Sequence, residues 1–390
     1  MSNLRQIILV SVAILVMLTA VACGATAPAA TPMPENTPLP AATPTAKSLP
    51  HTLTATAISP ELISGIDGML SDLARQSLFT GSVLIAQHGK VLLSQGYGLA
   101  NRQQNIPNTP QTRFRLGSVT KQFTAMAILI LENQGKLNVK DPICSYVPNC
   151  PSTWETITIK HLLTHTSGIP DFLSFADYPG SRATPTTPVQ TIARFKAKPL
   201  DFQPGEKFSY SNSNYIVLGY IIEQVSGQTY EAFLGQSIFT PLDLRDTGYD
   251  HLSNSLAIGY PNRYSTQPAD YIDMSIPYAA GALYSTVEDL YRWEQSLSKD
   301  QLVPKAYLDE MFAPQIVIPG SGLAYGYGWV IGKDPLGRSI NWHDGGIEGF
   351  ATNIARYPDD QVAIIILSNQ EDMDPDVILK LLSNKIFGNP

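Results

Sequence analysis

Apolar residues follow different periods in different parts of the chain. After Ser59-Pro60, apolar positions at helical spacing predict a helix from about residue 60 to 78. Two β-rich runs around His88-Gly89 predict a hairpin, in which His88 is a turn residue. Towards the C-terminus, three short strands are predicted over SINWHD, FATNIARYP and QVAIIILSN, and a last helix over DPDVILKLLSNKIF.

These elements define an α+β architecture. The long stretch between the two β-rich ends carries helical patterns and loops rich in proline and glycine. The economical arrangement is one antiparallel sheet built from both chain ends and flanked by the terminal helices, with a mainly helical inserted region packed on its edge. Such an arrangement creates a cleft between the two regions, and clefts of this kind commonly hold functional sites.

The N-terminal segment differs from the rest. Residues 1–23 combine Arg5, an apolar run and small residues, as an export signal does. The run ends at Cys23, which resembles the lipidated cysteine of a bacterial lipobox although Ala20 stands where leucine is usual; an uncleaved anchor is the alternative. Residues 24–58 are rich in proline and threonine and predict an extended tether. We therefore expect a folded domain over 59–390, outside the cytoplasm, anchored to the bacterial cell membrane or secreted.

Composition and cysteine usage narrow the classes of function. A formal net charge of -7 gives no electrostatic basis for nucleic-acid binding. Cys144 and Cys150 lie close together in CSYVPNC and are expected to form a structural disulfide outside the cytoplasm. His161 and His165 are four apart on a predicted helix, but no glutamate lies between them and no third ligand is evident, so no metal site is predicted. We expect no cofactor and a monomer.

Three short stretches carry side chains that are suited to catalysis or substrate binding. In RLGSVTKQFTA, Ser118 and Lys121 share one helical face, so Ser118 is either a helix cap or a nucleophile activated by Lys121. In FQPGEKFSYSN, Tyr210 and Asn212 precede a helix predicted to begin near Tyr215 and either form turns or face a cleft.

The third stretch, NWHDGGIEGF, lies between two predicted strands. His343 would present a donor there, and Gly345 and Gly346 would let a ligand approach the backbone, with the amide of Gly346 facing a developing negative oxygen. A hairpin turn that uses the glycines for its geometry is the alternative.

In this order and at these distances, the three stretches resemble the serine β-lactamase and penicillin-binding protein superfamily. The resemblance extends over roughly residues 60–388 and points to the branch of class C β-lactamases, D-alanyl-D-alanine carboxypeptidases and esterases. The family boxes S-x-x-K, Y-x-N and [HK]-x-G are matched by Ser118-Val119-Thr120-Lys121, Tyr210-Ser211-Asn212 and His343-Asp344-Gly345.

The resemblance implies an acyl-enzyme mechanism on a small-molecule or peptide acyl substrate. Ser118 would attack a carbonyl, while Lys121 and Tyr210 share the proton. The backbone amides of Ser118 and Gly346 would form the oxyanion hole, Asn212 would hold the carbonyl of the acyl side chain, and His343 would add a positive or donor group.

The sequence departs from the family pattern at Asp344. Penicillin-recognising members usually carry Thr or Ser there, whose hydroxyl binds the carboxylate of the substrate. An acidic side chain would repel that carboxylate unless Asp344 is a turn residue that points away. The expected function is therefore an esterase or a D-amino-acid peptidase-like hydrolase. The alternatives are a class C-type β-lactamase or D-alanyl-D-alanine carboxypeptidase, and a non-catalytic penicillin-binding envelope sensor.

Overall fold

The computed structural model describes residues 57–251 and 255–388. The predicted signal segment 1–23, with Cys23, and all but the end of the predicted tether 24–58 lie outside these residues. Within the described part, no helix combines the length and the apolar character needed to cross a membrane.

An eight-stranded antiparallel sheet forms the centre of the fold, in the order β2-β1-β13-β12-β11-β10-β9-β8. The strands, in chain order, are β1 (Gly81–Gln87), β2 (Lys90–Tyr97), β3 (Leu99–Asn101), β4 (Ile106–Pro107), β5 (Phe114–Arg115), β6 (Gly248–Tyr249), β7 (Leu283–Ser285), β8 (Ile316–Val317), β9 (Ala324–Tyr325), β10 (Val330–Lys333), β11 (Ser339–Ile347), β12 (Phe350–Tyr357) and β13 (Val362–Ser368). Strand β1 pairs with β13, so the two chain ends meet in one sheet as predicted.

The helices, in chain order, are α1 (Pro60–Arg75), α2 (Thr120–Asn133), α3 (Ile159–Leu163), α4 (Tyr178–Ser181), α5 (Pro188–Lys196), α6 (Asn212–Ser226), α7 (Tyr230–Leu234), α8 (Tyr278–Gly281), α9 (Val287–Ser296), α10 (Lys305–Met311) and α11 (Pro375–Phe387). Helices α1 and α11 contribute Ile66, Leu70 and Leu382 to the core on one face of the sheet. Most of the other helices lie in the inserted region, and α2 and α6 belong to the core on the opposite face. The α+β fold predicted from the sequence is confirmed.

Strands β1, β12 and β13 are buried along their full length, because helices cover both faces of the sheet. Burial on both faces explains why QVAIIILSN is apolar without alternation. The hairpin between β1 and β2 turns at His88, whose φ of 51° is left-handed, and at Gly89. His88 is therefore a turn residue, as expected.

Several predicted boundaries are wrong. Helix α1 ends at Arg75 rather than near 78, and α6 begins at Asn212 rather than near Tyr215. Helix α3 ends at Leu163, so His161 and His165 do not lie on one helix, and His165 has a left-handed φ of 56°. Among the described residues, no group of three or more metal-ligating side chains is placed to hold a metal ion.

Candidate active site

Ser118 lies in a short 3-10 turn, Gly117–Val119, directly before α2. Its side chain makes no capping hydrogen bond to the helix, for which Val119 is the N-terminal flanking residue. Gly117 has a φ of 54°, which residues with a side chain rarely adopt, and this conformation turns the chain out of β5 into the helix. Ser118 is therefore placed by the turn and is not held as a helix cap.

Lys121 lies within the first turn of α2 and is completely buried. Its Nζ is 3.0 Å from Ser118 Oγ, 2.8 Å from Asn212 Oδ1 and 2.9 Å from the carbonyl oxygen of Ala280. The oxygens of Asn212 and Ala280 can only accept, so two N–H groups of the amine point at them. In the neutral amine, the remaining lone pair is left facing Ser118 Oγ, ready to accept its proton.

Burial lowers the pKa of Lys121 to about 7, because the charged form loses its hydration. Asp171 and Asp344 oppose this change, since their negative charges favour the ammonium form. A substantial fraction of Lys121 is therefore neutral near pH 7. A neutral amine in contact with a serine hydroxyl is the arrangement that activates a nucleophile.

Tyr210 lies beside Ser118 and Lys121, and its buried hydroxyl makes no hydrogen bond of normal geometry within the described residues. Burial raises the pKa of Tyr210 well above its usual value, and the neighbouring Ser118 hydroxyl offsets only part of that rise. The Lys121 Nζ is 4.9 Å from the centroid of the phenol ring. Tyr210 is thus a neutral phenol that can relay a proton.

Asn212 is fixed from both ends of its amide. Its Oδ1 accepts from Lys121, and its Nδ2 donates to Asp171 Oδ2 at 3.2 Å. The backbone N–H of Asn212 also donates to Asp171 Oδ1 at 3.1 Å. The second N–H of Asn212 Nδ2 makes no hydrogen bond within the described residues, so it can donate to a carbonyl of the substrate. Asp171 thus orients Asn212, a role that the sequence analysis missed.

The imidazole ring of His165 packs against the phenol ring of Tyr210. The two rings lie 4.2 Å apart, and His165 is completely buried. Its Nδ1 accepts the backbone N–H of Ser211 at 3.1 Å, which fixes the ring orientation. Burial lowers the pKa of His165 well below its usual value, so it packs as a neutral ring. His165 therefore has a structural role beside Tyr210.

The third box lies inside strand β11 and not in a turn. The hairpin alternative is wrong, because the turn of this hairpin follows Ile347. A Cβ on Gly345 would collide with the carbonyl oxygen of Leu116, and a Cβ on Gly117 would lie 2.9 Å from the amide nitrogen of Gly346. The two glycines therefore let β11 lie directly against the Ser118 turn, which brings the amides of Ser118 and Gly346 close to each other.

Strand β10 pairs with β11 only as far as Trp342. Beyond that point, residues 343–347 of β11 pair with β12 on one side and meet no strand on the other within the described residues. This free edge faces the Ser118 turn. An extended substrate can align its backbone along such an edge.

His343 is buried, and both of its ring nitrogens are engaged. Nδ1 is 2.6 Å from the carbonyl oxygen of Asp344, which can only accept, and Nε2 is 2.9 Å from the Tyr325 hydroxyl. Burial lowers the pKa of His343, although Asp344 opposes this change. The ring is therefore neutral near pH 7 and accepts from Tyr325. The expectation that His343 offers a positive or donor group to the substrate is not what the structure shows.

Two cavities meet at Ser118. The Asp344 cavity has a volume of about 340 Å3 and is lined by Ser118, Phe208, Tyr210, Ile318, Tyr325, Val330, His343 and Asp344. The Asn212 cavity, of about 70 Å3, is lined by Ser118, Asn212, Gly346 and apolar side chains, with Glu348 at its edge. Asp344 is exposed and lies in a strand, so it is not a turn residue that points away from the site.

Away from the site, Cys144 and Cys150 are joined in a disulfide, with Cα atoms 5.2 Å apart. His161 takes part in the capping of α3, where its Nδ1 accepts the backbone N–H of Thr158 at 3.2 Å. Neither feature contacts Ser118.

A serine, a buried lysine of lowered pKa, a phenol and two converging backbone amides define the class of serine hydrolases. The Beta-lactamase family profile matches residues 66–383. The chain belongs to the β-lactamase family, and it is a serine hydrolase of the superfamily that also contains penicillin-binding proteins.

Similar proteins support this assignment. Penicillin-binding protein 4* of Bacillus subtilis (strain 168) is 30% identical over 344 residues, which cover 83% of this chain and 75% of the relative. Among solved structures, an octameric penicillin-binding protein homologue from Pyrococcus abyssi gives a TM-score of 0.75 at 28% identity, covering 84% of this chain and 78% of the other. A D-stereospecific amidohydrolase from Streptomyces sp. gives a TM-score of 0.71 at 26% identity, covering 84% and 99%.

Proposed function

We propose that the protein is an extracytoplasmic serine hydrolase that forms an acyl-enzyme on Ser118 and cleaves esters, amides or D-amino-acid peptides that lack a free carboxylate beside the scissile bond. One observation carries the substrate preference: the exposed residue Asp344 lines the same cavity as Ser118 and Tyr210. The location rests on the export-like segment 1–23 and the tether 24–58. The anchor is the lipid on Cys23 or, alternatively, the uncleaved signal.

In the first step, neutral Lys121 accepts the proton of Ser118 as Oγ attacks the carbonyl carbon of the substrate. The amides of Ser118 and Gly346 stabilise the negative oxygen that forms, and each such donor is worth about 3 kcal/mol. The bond to the leaving group then breaks as Tyr210 gives its hydroxyl proton to the leaving oxygen or nitrogen, and the proton held by Lys121 restores the Tyr210 phenol. Water attacks the resulting ester of Ser118, which releases the acid and restores the serine.

The two cavities receive different parts of the substrate. Asn212 lies in one of them and offers an N–H to a carbonyl of the acyl group, while the apolar side chains around it contact the acyl chain. The leaving group occupies the Asp344 cavity. At about 4 Å, two like charges near a protein surface repel by about 1–4 kcal/mol, depending on the effective dielectric constant. A terminal carboxylate in the leaving group is therefore disfavoured by about fivefold or more.

The Streptomyces protein is named a D-stereospecific amidohydrolase, and its 26% identity supports amide substrates for this chain. The Bacillus relative is named a penicillin-binding protein, which favours the second candidate, a β-lactamase or D-alanyl-D-alanine carboxypeptidase. The same name is compatible with a non-catalytic penicillin-binding sensor. A sensor, however, has no need of the proton path through Lys121 and Tyr210.

A matched substrate pair tests the proposal. N-acetyl-D-alanyl-D-alanine and its C-terminal amide differ only in the carboxylate, so the ratio of their kcat/KM values isolates its effect. We expect the amide to be hydrolysed about fivefold faster or more, and Asp344→Asn to reduce this ratio towards one. Faster cleavage of the acid, with a ratio unchanged in Asp344→Asn, would favour the carboxypeptidase.

Intact-mass measurement after exposure to a penicillin separates the remaining case. A stable adduct on Ser118 with no turnover of esters or amides would support the sensor. Rapid turnover of p-nitrophenyl acetate, absent in Ser118→Ala, is the result expected of the hydrolase.

A further inference from the structure

A separate cavity of about 440 Å3 lies between α6, α7 and the segment before α8, and Ser118 is not part of its lining. We call it the tyrosine cavity and define it by Tyr230, Tyr249, Tyr278, Glu223, Glu231 and Asp273. Nothing in the reaction at Ser118 uses these side chains. The volume falls within the range typical of small-molecule sites.

Three phenol rings line the tyrosine cavity. The centroids of Tyr230 and Tyr278 are 5.1 Å apart, and those of Tyr249 and Tyr278 are 6.5 Å apart. The hydroxyl of Tyr230 bonds to Thr124 Oγ1 at 2.7 Å, and that of Tyr249 donates to the carbonyl oxygen of Met274 at 2.8 Å. These two hydroxyls are held by the protein. Tyr230 is only 1% exposed, whereas the half-buried ring of Tyr249 can offer a face to a ligand.

Tyr278 differs from the other two tyrosines. It is only 7% exposed, yet its hydroxyl makes no hydrogen bond of normal geometry within the described residues. Its ring packs on α6 at Gly219, where a Cβ would collide with Cε1. Glu223 is one turn further along α6 from Gly219 and lies beside the hydroxyl. Burial first, and then the charge of Glu223, raises the pKa of Tyr278. The hydroxyl and the Glu223 carboxylate therefore lie close enough to interact, and a ligand that donates hydrogen bonds to both oxygens would satisfy them better than this contact does.

The charge of the cavity is negative. Glu223 accepts the backbone N–H of Tyr230 at 3.0 Å, which leaves further acceptor positions on the carboxylate. Glu231 pairs with His251 at 2.7 Å, and Asp273 accepts from Ser275 and Tyr271. Asp250, which also lines the cavity, pairs with Arg115. In the described residues no carboxylates are grouped closely enough to chelate a metal ion.

We propose that the tyrosine cavity binds a primary organic ammonium ion. The positive charge lies over the face of Tyr249 through cation–π attraction, and the alkyl part packs beside the same ring. The N–H groups donate to the Tyr278 hydroxyl and to the Glu223 carboxylate, which are neighbouring acceptors. A metal ion is disfavoured because it needs several converging oxygens, whereas an alkylammonium ion can use one carboxylate and aromatic faces.

Isothermal titration calorimetry on the folded protein tests this proposal with butylammonium as the probe and butan-1-ol as its neutral isostere. We expect butylammonium to bind at millimolar concentration and butan-1-ol to bind at least about tenfold more weakly. Glu223→Gln keeps an acceptor for the N–H of Tyr230 but removes the charge, and should weaken butylammonium binding by about fivefold or more. Tyr278→Phe removes only the hydroxyl and should weaken it by about threefold or more.

Two variants serve as matched controls: Glu155→Gln removes an exposed carboxylate elsewhere, and Tyr264→Phe removes the hydroxyl of a tyrosine that is 78% exposed. Both should bind as the parent protein does. Asp344→Asn should also bind normally, which separates the tyrosine cavity from the cleft at Ser118, and this result does not depend on hydrolysis. Equal binding of butan-1-ol, or unchanged affinity in both Glu223→Gln and Tyr278→Phe, overturns the proposal. If Glu223→Gln fails to fold, as judged by circular dichroism, Tyr278→Phe alone decides.

Discussion

The protonation of Lys121 gives the sharpest prediction about the reaction. Burial lowers its pKa to about 7, and only the neutral amine can accept the proton of Ser118. The value of kcat/KM should therefore rise with increasing pH through about 7 and be low under acidic conditions. The opposite slope is excluded by this mechanism, because protonation of Lys121 removes the lone pair that faces Ser118.

Asp344 provides a way to move this pH dependence. Its negative charge raises the pKa of Lys121 against the effect of burial, so Asp344→Asn should lower that pKa further. A unit charge several ångströms away contributes about 0.5–2 kcal/mol at intermediate dielectric constants. One pKa unit corresponds to about 1.4 kcal/mol. The rising limb of the profile of kcat/KM against pH should therefore move to lower pH by about 0.4–1.5 units.

The assay is hydrolysis of p-nitrophenyl acetate, a neutral ester, followed as kcat/KM between about pH 5 and 9, a range that brackets the limb. A neutral substrate keeps the repulsion of Asp344 for a carboxylate out of the measurement. Asp309→Asn is the control, because Asp309 is an exposed residue of α10 that pairs with Lys305. A limb that stays in place or moves to higher pH in Asp344→Asn would refute the electrostatic reasoning.

Two further predictions concern the packing around Ser118. Gly345→Ala should abolish ester hydrolysis and lower the Tm by several degrees, since the new Cβ collides with the carbonyl oxygen of Leu116; Gly346→Ala, where a Cβ meets nothing within 4 Å, should keep both near the parent values. Equal losses in the two variants would contradict the proposed close contact. Asp171→Asn should lower kcat by about tenfold or more with a near-normal Tm, because Asp171 holds the amide of Asn212; a large fall in Tm would instead indicate a structural role.

The sheet was predictable because its strands are long and apolar. Strand β13 is an apolar run without alternation, which is typical of a strand covered on both faces. It pairs with β1 and with β12, as expected when both chain ends are β-rich. Strands β8, β9 and β10 were missed, since they contain two to four residues each. Runs that short give no periodic signal, and their pairing is fixed by neighbours distant in the chain.

The spacing of the three boxes identified Ser118, Lys121 and Tyr210, which the structure brings together. The two adjacent glycines after Asp344 were open to misreading, because glycine is as typical of turns as of strands that approach another backbone. Asp171 was missed for another reason: its partner Asn212 is 41 residues further along the chain. Two residues so far apart in the sequence leave no pattern within any short stretch. The neutral state of His343 likewise follows from its burial, which could not be read from its own box.

The central claim is that Ser118 carries the acyl group, and peptide mapping by mass spectrometry tests it most directly. The protein is mixed with p-nitrophenyl acetate, quenched in acid during the first turnover and digested. We expect one acetyl group on the peptide that contains Ser118, and neither acetylation nor hydrolysis above background in Ser118→Ala. Hydrolysis that persists in Ser118→Ala, or an acetyl group found on another residue in both proteins, would contradict it.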